Sequence, residues 1–173
     1  MNKAGLRFWY GLLLRVLMSA LLLGAILPLK EGLAAQAQVS DSSRRLYDRV
    51  MEEFRHKDYE AALEGFKLFL ELHAQSALAA NAQYWIGECQ YRTGRYRDAL
   101  NSFYNVISYY PLSQKLAAST LKIGQIYTKQ GDRDKAHLMF ERVTDQYPDS
   151  PEAEVARKAL DAAAAKIEAV ASE

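Results

Sequence analysis

Few side chains in this 173-residue chain could act chemically, and none of them is spaced for catalysis. His56, His73 and His137 lie far apart, and none has a partner at metal-ligand spacing. There is no glycine-rich phosphate loop and no G-x-S-x-G nucleophile elbow. The carboxylates are numerous, but they scatter over faces expected to meet solvent, and the sequence singles out no acid–base pair. Cys89 is the single cysteine, so an internal disulfide is excluded, and a packing role is expected for it. The reading is therefore of a protein without catalytic residues, cofactor or metal.

The chemistry that remains is recognition. Residues at i, i+4, i+7 and i+8 share one side of a helix. At that spacing stand Tyr84, Glu88, Tyr91 and Arg92. The same spacing holds Tyr47, Met51, Phe54 and Arg55 before them, and Leu121, Gln125, Thr128 and Lys129 after them. Each set lies 37 residues from the next, so stacking would build columns. One column is Tyr47, Tyr84 and Leu121; another is Phe54, Tyr91 and Thr128; a basic one is Arg55, Arg92 and Lys129. An aromatic strip beside a basic strip suits an extended or helical peptide with acidic groups, and Tyr and Arg are common interface anchors. The same pattern also fits plain core aromatics, with basic residues placed to complement helix C-termini. Trp85 stands beside this face and is expected to be packed, its indole N–H directed at a partner.

The elements that would position these residues are helices. Across 81–111 apolar residues recur at steps of three and four: Ala82, Ile86, Gly87 and Tyr91, then Tyr96, Ala99, Leu100, Phe103, Val106 and Ile107. Gly94 lies between the two runs, where a left-handed stop is needed, and Pro111 closes the unit. The offset of 37 recurs: Ala62, Ala99 and Ala136; Phe66, Phe103 and Phe140; Ser76, Ser113 and Ser150; Gly87 and Gly124; Gly94 and Gly131; Pro111 and Pro148. Repetition at this period marks a solenoid, in which each unit covers the next. The first unit departs from the pattern, with Val50 where Gly is expected and Ala74 where Pro is expected. Asp58 and Asp132 are expected to cap helices, Arg95 at the equivalent place to cap poorly, and Ser76, Ser113 and Ser150 to act as N-caps. Pro151 then takes a first-turn position, and an Ala-rich last helix closes the stack.

Composition agrees with an all-α solenoid: half the residues are hydrophobic and proline is scarce. The expected organisation is a signal peptide over 1–37, a polar tail over 38–41 and a repeat domain over 42–171. Within that domain the repeats fall near 42–75, 76–112 and 113–149, with a capping helix over 150–171. Lys3, Arg7 and Arg15 precede an apolar run from Val16 to Leu29, and Ala35 and Ala37 supply the small residues of a cleavage site after Ala37. The run is shorter than the roughly 20 residues of a membrane span, although Phe8–Tyr10 and Leu12–Leu14 lengthen it, so the alternative is an uncleaved anchor. No cysteine stands near the cleavage site to carry a lipid. The whole chain carries +1; without residues 1–37 it carries −2, which leaves no electrostatic footprint for nucleic acid.

The order of a small residue in the first helix, Ala then Phe in the second and a closing Pro resembles the tetratricopeptide repeat, with a period three residues longer than the usual figure of about 34. The excess falls between Pro111 and Ala117, so each first helix is expected to begin about a turn early. The block Asn81-Ala82-Gln83-Tyr84-Trp85-Ile86-Gly87-Glu88, with Tyr91, Gly94, Tyr96 and Ala99 and the ending Tyr147-Pro148-Asp149-Ser150, is similar to the C-terminal repeat domain of the periplasmic Tol–Pal-associated cell division coordinators. That resemblance covers about Leu46 to Leu160. It implies a periplasmic scaffold whose partners are TolA or a peptidoglycan synthase, and which coordinates cell-wall synthesis with envelope constriction. Family members usually trimerise through an N-terminal coiled coil. Residues 38–45 carry no heptads, so a monomer is favoured. The alternatives are a repeat adaptor of outer-membrane protein assembly and a membrane-anchored adaptor.

Overall fold

The computed structural model describes residues 41–171, with side chains as far as residue 166. The expected signal peptide, its cleavage after Ala37 and most of the polar tail lie outside the described residues. Among those described, the fold is all-α: α1 (residues 41–55), α2 (Tyr59–His73), α3 (Ala79–Arg92), α4 (Tyr96–Tyr109), α5 (Leu116–Gln130), α6 (Arg133–Gln146) and α7 (Pro151–Ala171). Successive helices pack as three hairpins, and α7 lies against both α6 and α5.

The hairpins are fastened by a small residue facing a large one. A Cβ placed on Gly87 would stand 2.7 Å from Cε1 of Phe103, and one on Gly124 the same distance from Cε1 of Phe140. In the first hairpin the two partners have changed helices. Val50 occupies the glycine position of α1, and Gly65 on α2 receives it, with a Cβ at Gly65 only 2.6 Å from Val50 Cγ2. Ala62, Ala99 and Ala136 are buried on the second helices, next to Phe66, Phe103 and Phe140. Hairpin two also has a polar clasp: Ser102 Oγ donates to Gln90 Oε1 at 2.7 Å, and Gln83 Nε2 donates to the Ser102 carbonyl at 3.3 Å.

Helix ends follow local chemistry. Asp58 accepts from the Ala61 N–H at 3.1 Å and Asp132 from the Lys135 N–H at 3.2 Å, so both cap their helices. Arg95 makes no side-chain cap; its guanidinium instead reaches both carboxylate oxygens of Glu60 at 2.9 Å. Gly94 and Gly131 take the left-handed conformation, with φ of 77° and 79°. Their counterpart in the first unit is Lys57, which takes φ 65° without being glycine. Before Pro111 and Pro148, Tyr110 and Tyr147 are forced out of the helical region, with φ of −128° and −135°. Ala74 imposes no such restriction, and α2 runs one residue further than α4 at the aligned position.

The expectation that each first helix begins a turn early is corrected. α3 and α5 start at Ala79 and Leu116, and their N-caps, Leu78 and Lys115, make no side-chain cap bond. The additional residues form a separate tight turn instead. Ser76 Oγ accepts from the Leu78 N–H at 3.2 Å and Ser113 Oγ from the Lys115 N–H at 3.0 Å, two residues on rather than three. Only Ser150 acts as an N-cap proper, accepting from the Ala153 N–H at 3.1 Å. Pro151 presets the first helical φ there and turns the same segment into helix.

Candidate protein-interaction face

The three sets of sequence-predicted residues lie on the first helices of the hairpins, α1, α3 and α5. Along α1, Tyr47 is half-buried, with its ring edge-on to Phe66 at 5.6 Å and Phe69 at 5.7 Å. Burial raises its phenol pKa, and a hydrogen bond from Trp85 partly opposes the rise. Met51 and Phe54 are half-buried against the first core cluster, and Phe54 meets Trp85 at 4.7 Å. Trp85 is therefore packed, between Phe54 and Tyr84. Arg55 is exposed and pairs with Glu52 one turn earlier on its own helix.

Along α3, Tyr84 is buried, its ring 5.5 Å from Phe103. Its phenol is pushed far above the ordinary range, first by burial and then by the charge of Glu88 and a hydrogen bond with it; Glu152 on α7 adds to the same rise. Glu88 is also buried, at 3% exposure, where a carboxylate needs partners. Lys122 supplies one, its Nζ 2.8 Å from Oε1 and 3.1 Å from Oε2, and Arg92 Nε approaches to 4.0 Å. The Lys122 ammonium also sits 4.8 Å above the Tyr91 ring, which is edge-on to Tyr96 at 5.6 Å. Cys89, beside Glu88, is fully buried, and burial pushes its thiol pKa up to about 12.

Along α5, Leu121 is buried in the third core cluster with Phe140 and Val143. Gln125 is half-buried, while Thr128 and Lys129 are exposed, and Thr128 returns its hydroxyl to the Gly124 carbonyl at 3.0 Å. The columns thus divide. Tyr84 and Leu121 serve the core, Tyr47 and Phe54 straddle core and surface, and Tyr91 with the basic residues stays accessible. The Arg55–Arg92–Lys129 column holds no mutual contact, its members being tied to Glu52, Glu88 and the Tyr91 ring respectively. Two cations of this face were not singled out from the sequence: Lys115, 5.0 Å above Tyr84 and 5.9 Å above Trp85, and Lys122. The signal for them was their heptad spacing with Lys129. Among the described residues, no group of His, Cys, Asp and Glu is gathered to hold a metal ion, and no helix is long and apolar enough to cross a membrane.

Comparison with known proteins agrees with this architecture. Residues 78–149 match the tetratricopeptide repeat family model. Over 63 residues the chain is 33% identical to the cell division coordinator CpoB of Pseudomonas putida, a match covering 35% of this chain and 24% of that protein. The matched segment is thus about a quarter of that relative's length. Among solved structures, the type III secretion translocator chaperone SycD of Yersinia enterocolitica superposes with a TM-score of 0.62 at 16% identity, over 71% of this chain and 90% of its own. SycD in complex with a peptide of the translocator YopD gives 0.63 at 18%, over 73% and 95%. PcrH in complex with the chaperone-binding region of PopD gives 0.63 at 19%, over 73% and 93%. At such identities the likeness to the solved structures is one of fold.

Proposed function

We infer that this chain, which carries tetratricopeptide repeats and resembles the cell division coordinators in sequence, is a non-enzymatic scaffold that binds a segment of a partner protein on the face lined by α1, α3 and α5. The observation that carries this is the gathering on that face of half-buried aromatics (Tyr47, Phe54, Trp85, Tyr91) beside Lys115, Lys122, Lys129 and Arg92. Tryptophan, tyrosine and arginine side chains are the commonest interface anchors. Helical solenoids bind on the face their first helices line. The resemblance to the coordinators supports an exported, periplasmic protein acting with the Tol–Pal system, whose partner is a TolA-like envelope protein or a peptidoglycan synthase, and which couples wall synthesis to constriction.

Affinity capture from an envelope extract tests this, with the exported chain as bait and an Arg55→Glu/Lys129→Glu variant as control; both substituted residues are exposed. Recovery of TolA or a peptidoglycan synthase, lost in a variant whose circular dichroism stays helical, is the expected result. Recovery of the outer-membrane assembly machine in their place, or of nothing above background, overturns the division role.

A further inference from the structure

On the proposed interaction face α5 and its N-cap carry an ordered row of cations. Lys115, Lys122 and Lys129 recur at heptad spacing, so they stand on one side of the helix, about 10.5 Å apart along its axis. Each ammonium lies over an aromatic ring of α3: Lys115 is 5.0 Å from the Tyr84 centroid, Lys122 is 4.8 Å from that of Tyr91, and Lys129 is 5.9 Å from the same ring. The rings themselves are held. Tyr84 is wedged against Trp85 and Phe103, and Tyr91 against Tyr96. Stacking on fixed rings restrains side chains that would otherwise be among the most mobile on a surface.

The charge of this row is only partly balanced. Lys122 is compensated by the buried Glu88. Among the described residues, neither Lys115 nor Lys129 has a carboxylate at ion-pair distance, although Glu152 on α7 acts on Tyr84 nearby. Arg92 adds a further positive charge at the edge of Glu88. The row therefore presents surplus positive charge beside rings that are themselves buried or half-buried, Tyr84 and Tyr91.

Building on the scaffold reading above, we propose that the partner segment is an acidic α-helix lying along α5, with carboxylates at heptad spacing that pair with Lys115, Lys122 and Lys129. The spacing argues for a helix. Carboxylates seven residues apart on a helix recur on one side at about 10.5 Å, the period of the row. A β-strand returns to the same side every second residue, at about 6.6 Å or 13 Å, and misses the middle lysine. A polyproline-type strand returns every third residue at about 9.3 Å and falls more than 2 Å short over the length of the row.

The test uses the full chain and fluorescein-labelled, alanine-rich helical peptides followed by anisotropy. One peptide carries three glutamates at heptad spacing, and its isomer carries the same three glutamates side by side. The expected result is tighter binding of the heptad peptide, weakened about fivefold to tenfold by Lys115→Gln/Lys129→Gln, with a flatter salt dependence in the variant. Lys67→Gln/Lys158→Gln, the same change of charge at exposed sites on α2 and α7, leaves affinity unchanged. Lys122 is kept, because its loss would strand the buried Glu88. Equal affinity for the two isomers, or no effect of the Lys115/Lys129 substitutions, overturns the proposal. The capture experiment separates it from the scaffold reading. If the wild-type chain recovers its envelope partner and the Lys115→Gln/Lys129→Gln variant recovers it equally, the row is overturned and the scaffold stands. If the wild-type chain recovers nothing while the heptad peptide follows the row, the acidic helix stands and the division role falls.

Discussion

At the scale of single residues, the repeat exposes its own compromises because three copies of each position can be compared. Lys57, Gly94 and Gly131 close α1, α3 and α5 with the same backbone bonds: Lys57, Gly94 and Gly131 donate to the carbonyls of Phe54, Tyr91 and Thr128. The next residues, Asp58, Arg95 and Asp132, donate to those of Glu53, Gln90 and Tyr127. All three closing residues sit at φ between 65° and 79°, where a Cβ crowds the backbone. Only the first of them carries one. Lys57 is exposed and makes no ion pair with another described residue, so its side chain returns nothing for the strain. Lys57→Gly is therefore expected to stabilise the fold by about 1 kcal/mol, the left-handed penalty less the greater freedom of glycine in the unfolded chain. Urea unfolding would show it as a higher midpoint at unchanged slope. A lower midpoint would mean that Lys57 makes a contact that matters more than its backbone strain.

At the scale of elements, what fastens a hairpin is contact between a backbone and a ring. The Phe103 ring presents three carbons within 2.9 Å of where a Cβ on Gly87 would stand, and Phe103 is fully buried, with Tyr84 against it. Gly87→Ala is expected to cost about 1–2 kcal/mol, overpacking outweighing the helix propensity gained. Phe103→Leu in the same molecule should recover part of that loss, a coupling visible in a double-mutant cycle. Additive losses would show that the ring can move aside. These contacts were legible in the sequence because Gly87 and Phe103, and Gly124 and Phe140, keep their types and spacing. The first hairpin was harder to read. Val50 looks like a defect until Gly65, on the other helix, is seen to make room for it, and a one-dimensional alignment does not reveal that the two partners exchanged places. The turns at Ser76 and Ser113 were misread for a related reason. Serine before a helix signals a cap, but whether its oxygen meets the second or the third N–H depends on the φ that follows, and only Pro151 fixes it. On the proposed interaction face, the sequence displayed the tyrosines and arginines as columns. It could not show that Tyr84 and Leu121 would be spent on the core, or that Lys115 and Lys122 would lie across the rings, because both depend on how neighbouring units pack.

At the scale of the whole molecule, each core is completed by the first helix of the following unit. The first cluster joins Val50 and Phe66 to Ala82, Ile86 and Cys89 of α3, and the second joins Phe103 and Val106 to Ile123 and Ile126 of α5. The third has no further repeat to draw on; Leu121, Phe140 and Val143 are covered by Ala153 and Ala156 of α7. The capping helix thus occupies the place of a first helix, and its small residues allow it to lie close to α5 and α6. In such a stack stability is shared between neighbours, so a lesion should weaken the units beside it before those at a distance. Ala156 is fully buried, and Ala156→Asp would place an unpaired carboxylate in that last core, at a cost on the order of 3 kcal/mol. Hydrogen exchange is expected to show protection lost first in α5, α6 and α7, with α1 and α2 retained longest. A uniform loss across the chain would mean instead that the units unfold as one block. The proposed interaction face would then depend on the cap as a whole, because the helix bearing the lysine row is the one that α7 holds in place.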